Sequence, residues 1–360
     1  MLKTTENSPK STSAQDMPEV RTLHDVTLEQ FRDDILPAAQ PVLMKNFIAH
    51  WPAVAASRQS PEAIMDYVKR FDARRPVETI LGKPEIAGKY FYNDDLTGLN
   101  FDRQPAVISE SLNAIARYRD EANPPSVYIQ SAPMYENLPG FAEENQIGVL
   151  PPVIEPRIWM GNRLTVQTHF DLSENIACVV SGRRRFTLFP PEQTPNLYAG
   201  PFEFTLAGPP VSLVRLEEPD LETYPRFAEA LRHAQTATLE PGDALFIPYF
   251  WWHHVQSLED FNVLVNYWWN DSPRDLASPF DALLHAILAL RDMPPHQQKA
   301  WKMMLDQYVF HETGDPVAHL PDHSKGALGP HTPQSRQQLK ARVATNLAMQ
   351  AGLMPRKNPS

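Results

Sequence analysis

The spacing of apolar residues along the chain changes character twice. Up to about residue 130, helical spacing and short β-rich runs alternate. Thr27 with Gln30 three positions on has the form of a capping box ahead of Phe31. Ser60-Pro61 sets a capping hydroxyl and a first-turn proline before Ile64, Met65, Tyr67 and Val68. These signals predict two helices in the first seventy residues. Residues 41–44, 77–80, 90–92 and 127–130 read as short strands.

From 157 to 269, strand-like runs are separated by turn signals at Ser181-Gly182, Gly208-Pro209, Pro241-Gly242 and Glu259-Asp260. Short strands at such intervals predict an antiparallel barrel or jelly roll. Beyond Asn270 the period becomes helical. Ser278-Pro279 caps a segment carrying Phe280, Leu283, Leu284, Ile287 and Leu288, and further stripes run through Trp301, Met304, Leu305, Tyr308 and through Leu339, Val343, Leu347. The expected organisation is a disordered lead-in (1–18), a β-rich domain with an N-terminal extension (19–270) and a helical segment (271–360).

Composition narrows the function. Of 360 residues, 36 are proline, about twice the ~5% of average usage, so long helices cannot dominate. No apolar run approaches the ~20 residues that span a bilayer, so a membrane protein is not expected. The net charge of −10 repels a phosphate backbone, and nucleic acid is not an expected partner. The single cysteine, Cys178, cannot close an internal disulfide, and the polar N-terminus lacks a signal-peptide core. Together these point to a cytoplasmic protein. Cys178 itself reads as a small buried hydrophobe.

Two segments carry candidate chemistry. In His169-Phe170-Asp171, an extended backbone sets two metal-ligand side chains at i and i+2 on one face. Downstream, a Pro241-Gly242-Asp243 turn feeds an apolar run ending in Trp251-Trp252-His253-His254. Across a barrel, a histidine from this run can join the earlier pair and complete two histidines and one carboxylate, the facial set of non-haem Fe(II) oxygenases. The alternative is that both histidines merely flank a core strand. Strand alternation points His253 and His254 to opposite faces.

The stretch T-H-F-D-L-S-E-N-I-A-C-V-V-S-G-R-R-R-F-T-L-F-P-P, then P-G-D-A-L-F-I-P-Y-F-W-W-H-H-V and L-V-N-Y-W-W, resembles the JmjC or cupin-like family of Fe(II)- and 2-oxoglutarate-dependent oxygenases. Within it the pattern is most similar to the asparaginyl hydroxylases of hypoxia-inducible factor. The resemblance covers about 128–269, and P-V-L-M-K-N-F-I-A-H-W-P-A looks like the start of such proteins. It implies a mainly β fold, a double-stranded β-helix (jelly roll) with an N-terminal α/β extension and C-terminal helices.

By the same resemblance the metal ligands are His169, Asp171 and His253, with His254 structural. Arg184 stands where the hydroxylases carry a lysine for the distal carboxylate of 2-oxoglutarate, and a guanidinium can grip that group through two parallel hydrogen bonds. Alternation turns Arg183 and Arg185 to the other face. Tyr128 matches a tyrosine on the same carboxylate, Asn175 and Asn266 match amides near iron and cosubstrate, and Trp268 matches a tryptophan close to the metal. One departure stands out: Val166 replaces a family threonine, removing a hydroxyl from the cosubstrate pocket. The tryptophans at 251, 252, 268 and 269 are expected on neighbouring strands.

The resemblance thus implies an Fe(II)/2-oxoglutarate oxygenase that hydroxylates a protein (peptide) side chain or a small molecule. Two rivals stay open: a non-catalytic cupin-fold protein binding a peptide, sugar or metal, which the Val166 departure favours, and a lysine demethylase. A homodimer through the C-terminal helices is expected, since their apolar stripes need a partner surface, although such stripes can pack on their own barrel.

Overall fold

The computed structural model describes residues 17–206 and 208–354. The lead-in expected over 1–18 falls almost entirely outside them. Its last two residues do not fit that expectation: Met17 is buried and the Pro18 carbonyl accepts from Thr236 N. The chain divides into two compact units at Asn270/Asp271.

The first unit is built on two sheets. Its strands are β1 (Arg21–His24), β2 (Val42–Lys45), β3 (Pro76–Gly82), β4 (Asp102–Val107), β5 (Ser126–Pro133), β6 (Pro156–Gly161), β7 (Thr165–His169), β8 (Glu174–Ser181), β9 (Arg184–Phe189), β10 (Gln235–Leu239), β11 (Ala244–Ile247), β12 (Trp252–Ser257) and β13 (Asn262–Trp269). Nine strands form one sheet in the order β1-β2-β11-β8-β13-β6-β5-β3-β4, and four form the other, β10-β9-β12-β7. Apart from the parallel β1–β2 pair, all pairings are antiparallel. This is the expected jelly roll, with the early strands extending the larger sheet.

Alternation along β8 shows why the run reads as continuously apolar. Ile176, Cys178 and Val180 face one core, with Phe31, Ile64, Val68, Ile108 and Leu112 of the N-terminal helices. Ala177 and Val179 face the other, between the sheets, with Phe186, Leu188, Val255 and Leu264. A strand buried on both faces has no polar side to show. Cys178 is buried and free, as expected. The outer face of the small sheet is covered by the long β9–β10 connection, whose helix Phe227–His233 packs with Phe189 and Trp252.

Both predicted caps form: Thr27 accepts from Gln30 N and Ser60 from Ala63 N, each at 3.1 Å. The first helical segment is continuous from Leu28 to Ala38 with a π-helical middle. Several expectations need correction. The helix Pro52–Gln59 adds to the two foreseen, because its Pro52 start carries no side-chain cap signal. Residues 90–92 are not a strand and make only an isolated bridge, Tyr92 to Leu99, since that segment turns into a loop closed by Asn93 and Asn100. The paired tryptophans do not lie on neighbouring strands: β12 and β13 follow one another in sequence, but the turn between them crosses from the small sheet to the large one.

The second unit holds the helices Pro279–Leu290, Pro295–Tyr308 and Pro333–Gln350. Ser278 and Thr332 cap the first and third, and Arg336 Nη1 donates to both carboxylate oxygens of Asp275 at 2.8 and 3.0 Å. None of the three helices buries a residue. No helix among the described residues is long and apolar enough to cross a membrane.

Candidate metal centre

His169 is the last residue of β7, and Asp171 lies just beyond the strand end, where the chain leaves the sheet. His253 on β12 is the direct cross-strand partner of His169. Their ligand atoms and one Asp171 oxygen all lie within 4.8 Å of one another, with His253 Nε2 3.6 Å from Asp171 Oδ2. Both imidazoles are oriented the same way. His169 Nδ1 donates to the Gln167 carbonyl at 2.8 Å, and His253 Nδ1 to the Trp251 carbonyl at 3.0 Å. With each Nδ1 proton held by backbone, each Nε2 is left as the free lone pair, the arrangement that metal-ligating histidines use. Burial, then the neighbouring His169, holds the His253 imidazole down at about 4, so near pH 7 it is a neutral nitrogen donor. Asp171 Oδ2 is buried without a hydrogen-bond partner. Such a donor set fits a divalent first-row metal with open positions.

His254 points the other way, as alternation requires. It is fully buried, with Nδ1 3.3 Å from Thr168 Oγ1 and Nε2 3.2 Å from Glu217 Oε1. Burial alone would raise the Glu217 carboxyl, but hydrogen bonding and charge from His254 outweigh it and hold it down at about 2. This brace ties the β9–β10 connection to the two histidine-bearing strands. Nothing in sequence marks Glu217, which lies on a long connection 37 positions from its partner.

Beside the triad, a 60 Å³ cavity is lined by Tyr128, Asn175, Arg184, His253, Asn266 and Trp268 among others. All five residues expected to serve the cosubstrate therefore converge. Asn266 accepts from Trp159 Nε1 at 2.7 Å and donates to Asn175 Oδ1 at 3.2 Å. Arg184 is 2% exposed, its Nε and Nη2 have no hydrogen-bond partner, and no carboxylate pairs with it among the described residues. Burial pushes its guanidinium down while Tyr128 opposes that; burial likewise pushes the Tyr128 phenol up to about 12, with Arg184 pulling back. A buried cation without a counterion is costly, so the cavity is built for an anion. Arg183, by contrast, is exposed and pairs with Glu259 at 2.6 Å.

Val166 lines this cavity where the threonine was expected, and its neighbours do not replace the hydroxyl: Thr168 turns to His254. The register slips between β7 and β12, so that His253 pairs with His169 but Val255 with Val166. This β-bulge at 167–168 re-aims side chains next to the site. Gln167 thereby lines a second compartment of 80 Å³ with Gln130, a residue the sequence did not single out. The larger clefts of 270 and 540 Å³ lie away from the triad; in the first, Arg119 and Arg163 are already paired with Glu62 and Asp260.

Comparison with known proteins agrees with this geometry. Residues 28–275 match the profile of the cupin-like domain. Among curated proteins, Jumonji C domain-containing protein 5 of Drosophila melanogaster is 28% identical over 74% of this chain and 63% of its own length. Lysine-specific demethylase 8 of Xenopus tropicalis is 28% identical over 69% of this chain and 52% of its own. tRNA wybutosine-synthesizing protein 5 of Gallus gallus is 27% identical over 71% and 79%. The match thus spans between half and two-thirds of the first two relatives. With most of the first unit inside the profile and the two-histidine, one-carboxylate cluster at its centre, the chain belongs to the cupin-like family with JmjC relatives, whose members use Fe(II) and 2-oxoglutarate.

Proposed function

We propose that the protein is an Fe(II)- and 2-oxoglutarate-dependent oxygenase that hydroxylates a protein side chain or a small molecule. His169, Asp171 and His253 hold the metal through two Nε2 atoms and one carboxylate oxygen. Arg184, with Tyr128 beside it, takes the distal carboxylate of 2-oxoglutarate, and Asn175, Asn266 and Trp268 line the space between. When bound, iron and 2-oxoglutarate supply the oxidising chemistry: O2 and the oxo acid are consumed, CO2 and succinate leave, and a substrate C–H becomes C–OH.

The chain's own residues bind, orient and exclude water. The carbonyls of Gln167 and Trp251 keep the Nδ1 protons in place, so neither histidine has to change tautomer on metal binding. Tyr128 and Trp159 stack at 6.0 Å and Trp268 meets Trp159 edge-on at 5.6 Å, walling the metal side with aromatic surface. The observation that carries the reading is Arg184, a buried guanidinium without a counterion in the cavity that also contains His253.

The names of two relatives, lysine-specific demethylase 8 and lysine-specific demethylase JMJ31 of Arabidopsis thaliana, favour a second reading, demethylation, which shares the metal chemistry and differs in the substrate group. Val166 favours a third, a binding protein that keeps the cavity without turnover. Anaerobic loading with Fe(II) and 2-oxoglutarate followed by O2 admission separates them: succinate release supports the oxygenase, and tight metal binding with neither 2-oxoglutarate affinity nor succinate overturns it. We further propose a homodimer joined through the C-terminal helices, where Leu288 and Met303, and Phe310 just past the helix Pro295–Tyr308, are exposed. A cytoplasmic setting belongs to the same reading, supported by the single free thiol.

A further inference from the structure

Asp171 is held differently from the two histidines. His169 and His253 lie on paired strands, and each fixes its ring through a backbone carbonyl. Asp171 stands outside the sheets, between β7 and β8. Its buried Oδ2 has no hydrogen-bond partner and meets His253 Nε2 at 3.6 Å. A ligating carboxylate is ordinarily hydrogen-bonded in turn by a second layer of residues. With that support missing at Oδ2, the placement of the Asp171 carboxylate depends on what holds its backbone.

The turn at 248–251, which carries the chain from β11 in the large sheet to β12 in the small one, does this. Phe250 N donates to the Asp171 carbonyl at 3.1 Å. The Phe250 ring stacks on Phe170 at 4.2 Å, and Trp252 meets that same Phe170 ring edge-on at 4.7 Å. Phe170, the residue between two of the ligands, is therefore gripped by two rings. The turn is itself tied down: Tyr249 N donates to Glu174 Oε2 at the start of β8, and Trp251 N to the Pro248 carbonyl, each at 3.1 Å. It ends in the Trp251 carbonyl that orients His253. One short turn thus touches the backbone of one ligand and the ring of another.

Phe250 makes these contacts at φ +66°, a left-handed conformation that glycine adopts freely and a bulky side chain resists. Such strain persists only where the surrounding structure over-determines it. Here its backbone N–H and its ring both go to the 170–171 segment. We infer that Phe250 is a positioning residue for the metal centre, fixing the Asp171 carboxylate by holding that residue's carbonyl and its neighbour's ring. This role rests on the metal-ligand part of the proposed function and is independent of the cosubstrate and of the substrate.

Phe250→Gly relieves the backbone while deleting the ring, so it separates a positioning role from a merely structural one. In the metal-free protein it should keep the wild-type far-UV circular dichroism and a cooperative unfolding transition. Its Co(II) affinity in calorimetry should nevertheless fall at least ~10-fold, the lower end of what losing an outer support of a metal site costs. The visible absorption of the bound Co(II), which reports ligand geometry, should change with it. Phe250→Tyr keeps the ring and should match the wild type in both measurements. Phe170→Leu removes the stack from the other side and should reproduce the weaker binding and the changed spectrum, which keeps the test decisive if Phe250→Gly does not fold. Wild-type Co(II) affinity and spectrum in Phe250→Gly, or in Phe170→Leu where only that variant folds, overturn the role, as does an equal loss in Phe250→Tyr. A wild-type protein that binds no Co(II) removes the metal reading and this role with it, whereas metal held equally by all the variants removes the role alone.

Discussion

Replacing Arg184 by methionine removes the charge but keeps most of the volume, and should produce two opposite effects. In the ligand-free protein the guanidinium is buried with Nε and Nη2 unpartnered, so its loss should leave stability unchanged or raise it. Toward 2-oxoglutarate, truncating one partner of a buried charge pair costs ~2–5 kcal/mol, and at ~1.4 kcal/mol per tenfold the affinity should fall at least ~30-fold. The assay is thermal unfolding of Zn(II)-loaded protein with and without the oxo acid. At a concentration of ~100 times the wild-type Kd, binding contributes about 2.7 kcal/mol, worth about 5–10 °C for a domain of this size. A ~30-fold weaker variant at that concentration gains about 0.9 kcal/mol, or about 2–3 °C. Arg183→Ala breaks only an exposed pair, worth ~0–1 kcal/mol, and should keep the full ligand shift, as should Arg185→Ala. An undiminished shift in Arg184→Met, or equal losses in all three variants, would refute the anion-pocket argument.

Three further outcomes are expected. His253→Ala should abolish tight metal binding in calorimetry, whereas His254→Ala should retain a metal site while losing the tie to Glu217; the reverse result would mean that the inward histidine has been misassigned. Because the folded Glu217 carboxyl sits at about 2, below its ordinary 4.5, its stabilisation is present above pH 4.5 and lost as pH falls toward 2. Chemical unfolding should therefore show wild type ahead of Glu217→Gln near pH 6, with the gap roughly halved by pH 3 and closing toward pH 2; a gap that does not change with pH contradicts the brace. For the dimer, equilibrium sedimentation should show a two-chain species at micromolar concentration that Leu288→Glu with Phe310→Glu dissociates, and a wild-type monomer removes the proposal.

Much of the centre was legible because its signals are local. His169 and Asp171 are two positions apart, and the caps at Thr27, Ser60 and Ser278 are read within three residues. The Tyr128, Asn175, Arg184, Asn266 and Trp268 assignments came through family resemblance and proved to line one cavity. Residues 90–92 failed as a strand because three aromatics favour extended backbone, while the asparagines that close the neighbouring loop act through contacts formed only on folding. Glu217 and Gln130 were missed for the same reason: a lone polar residue acquires its role only from whatever it meets.

By itself the sequence determined most strand and helix periods, the turn positions, and that His253 and His254, like Arg184 and its two neighbours, face opposite ways, while the family resemblance said which of them faces inward. These depend on alternation and capping, which operate over a few residues. The tertiary structure alone decided that His253 stands opposite His169, that a bulge turns Gln167 into a second compartment, that Glu217 braces His254, and that β12 and β13 part into different sheets. Pairing register depends on how both faces of every strand are packed, and a one-residue slip costs nothing locally while moving every side chain to the other face. Only the assembled core selects among such alternatives.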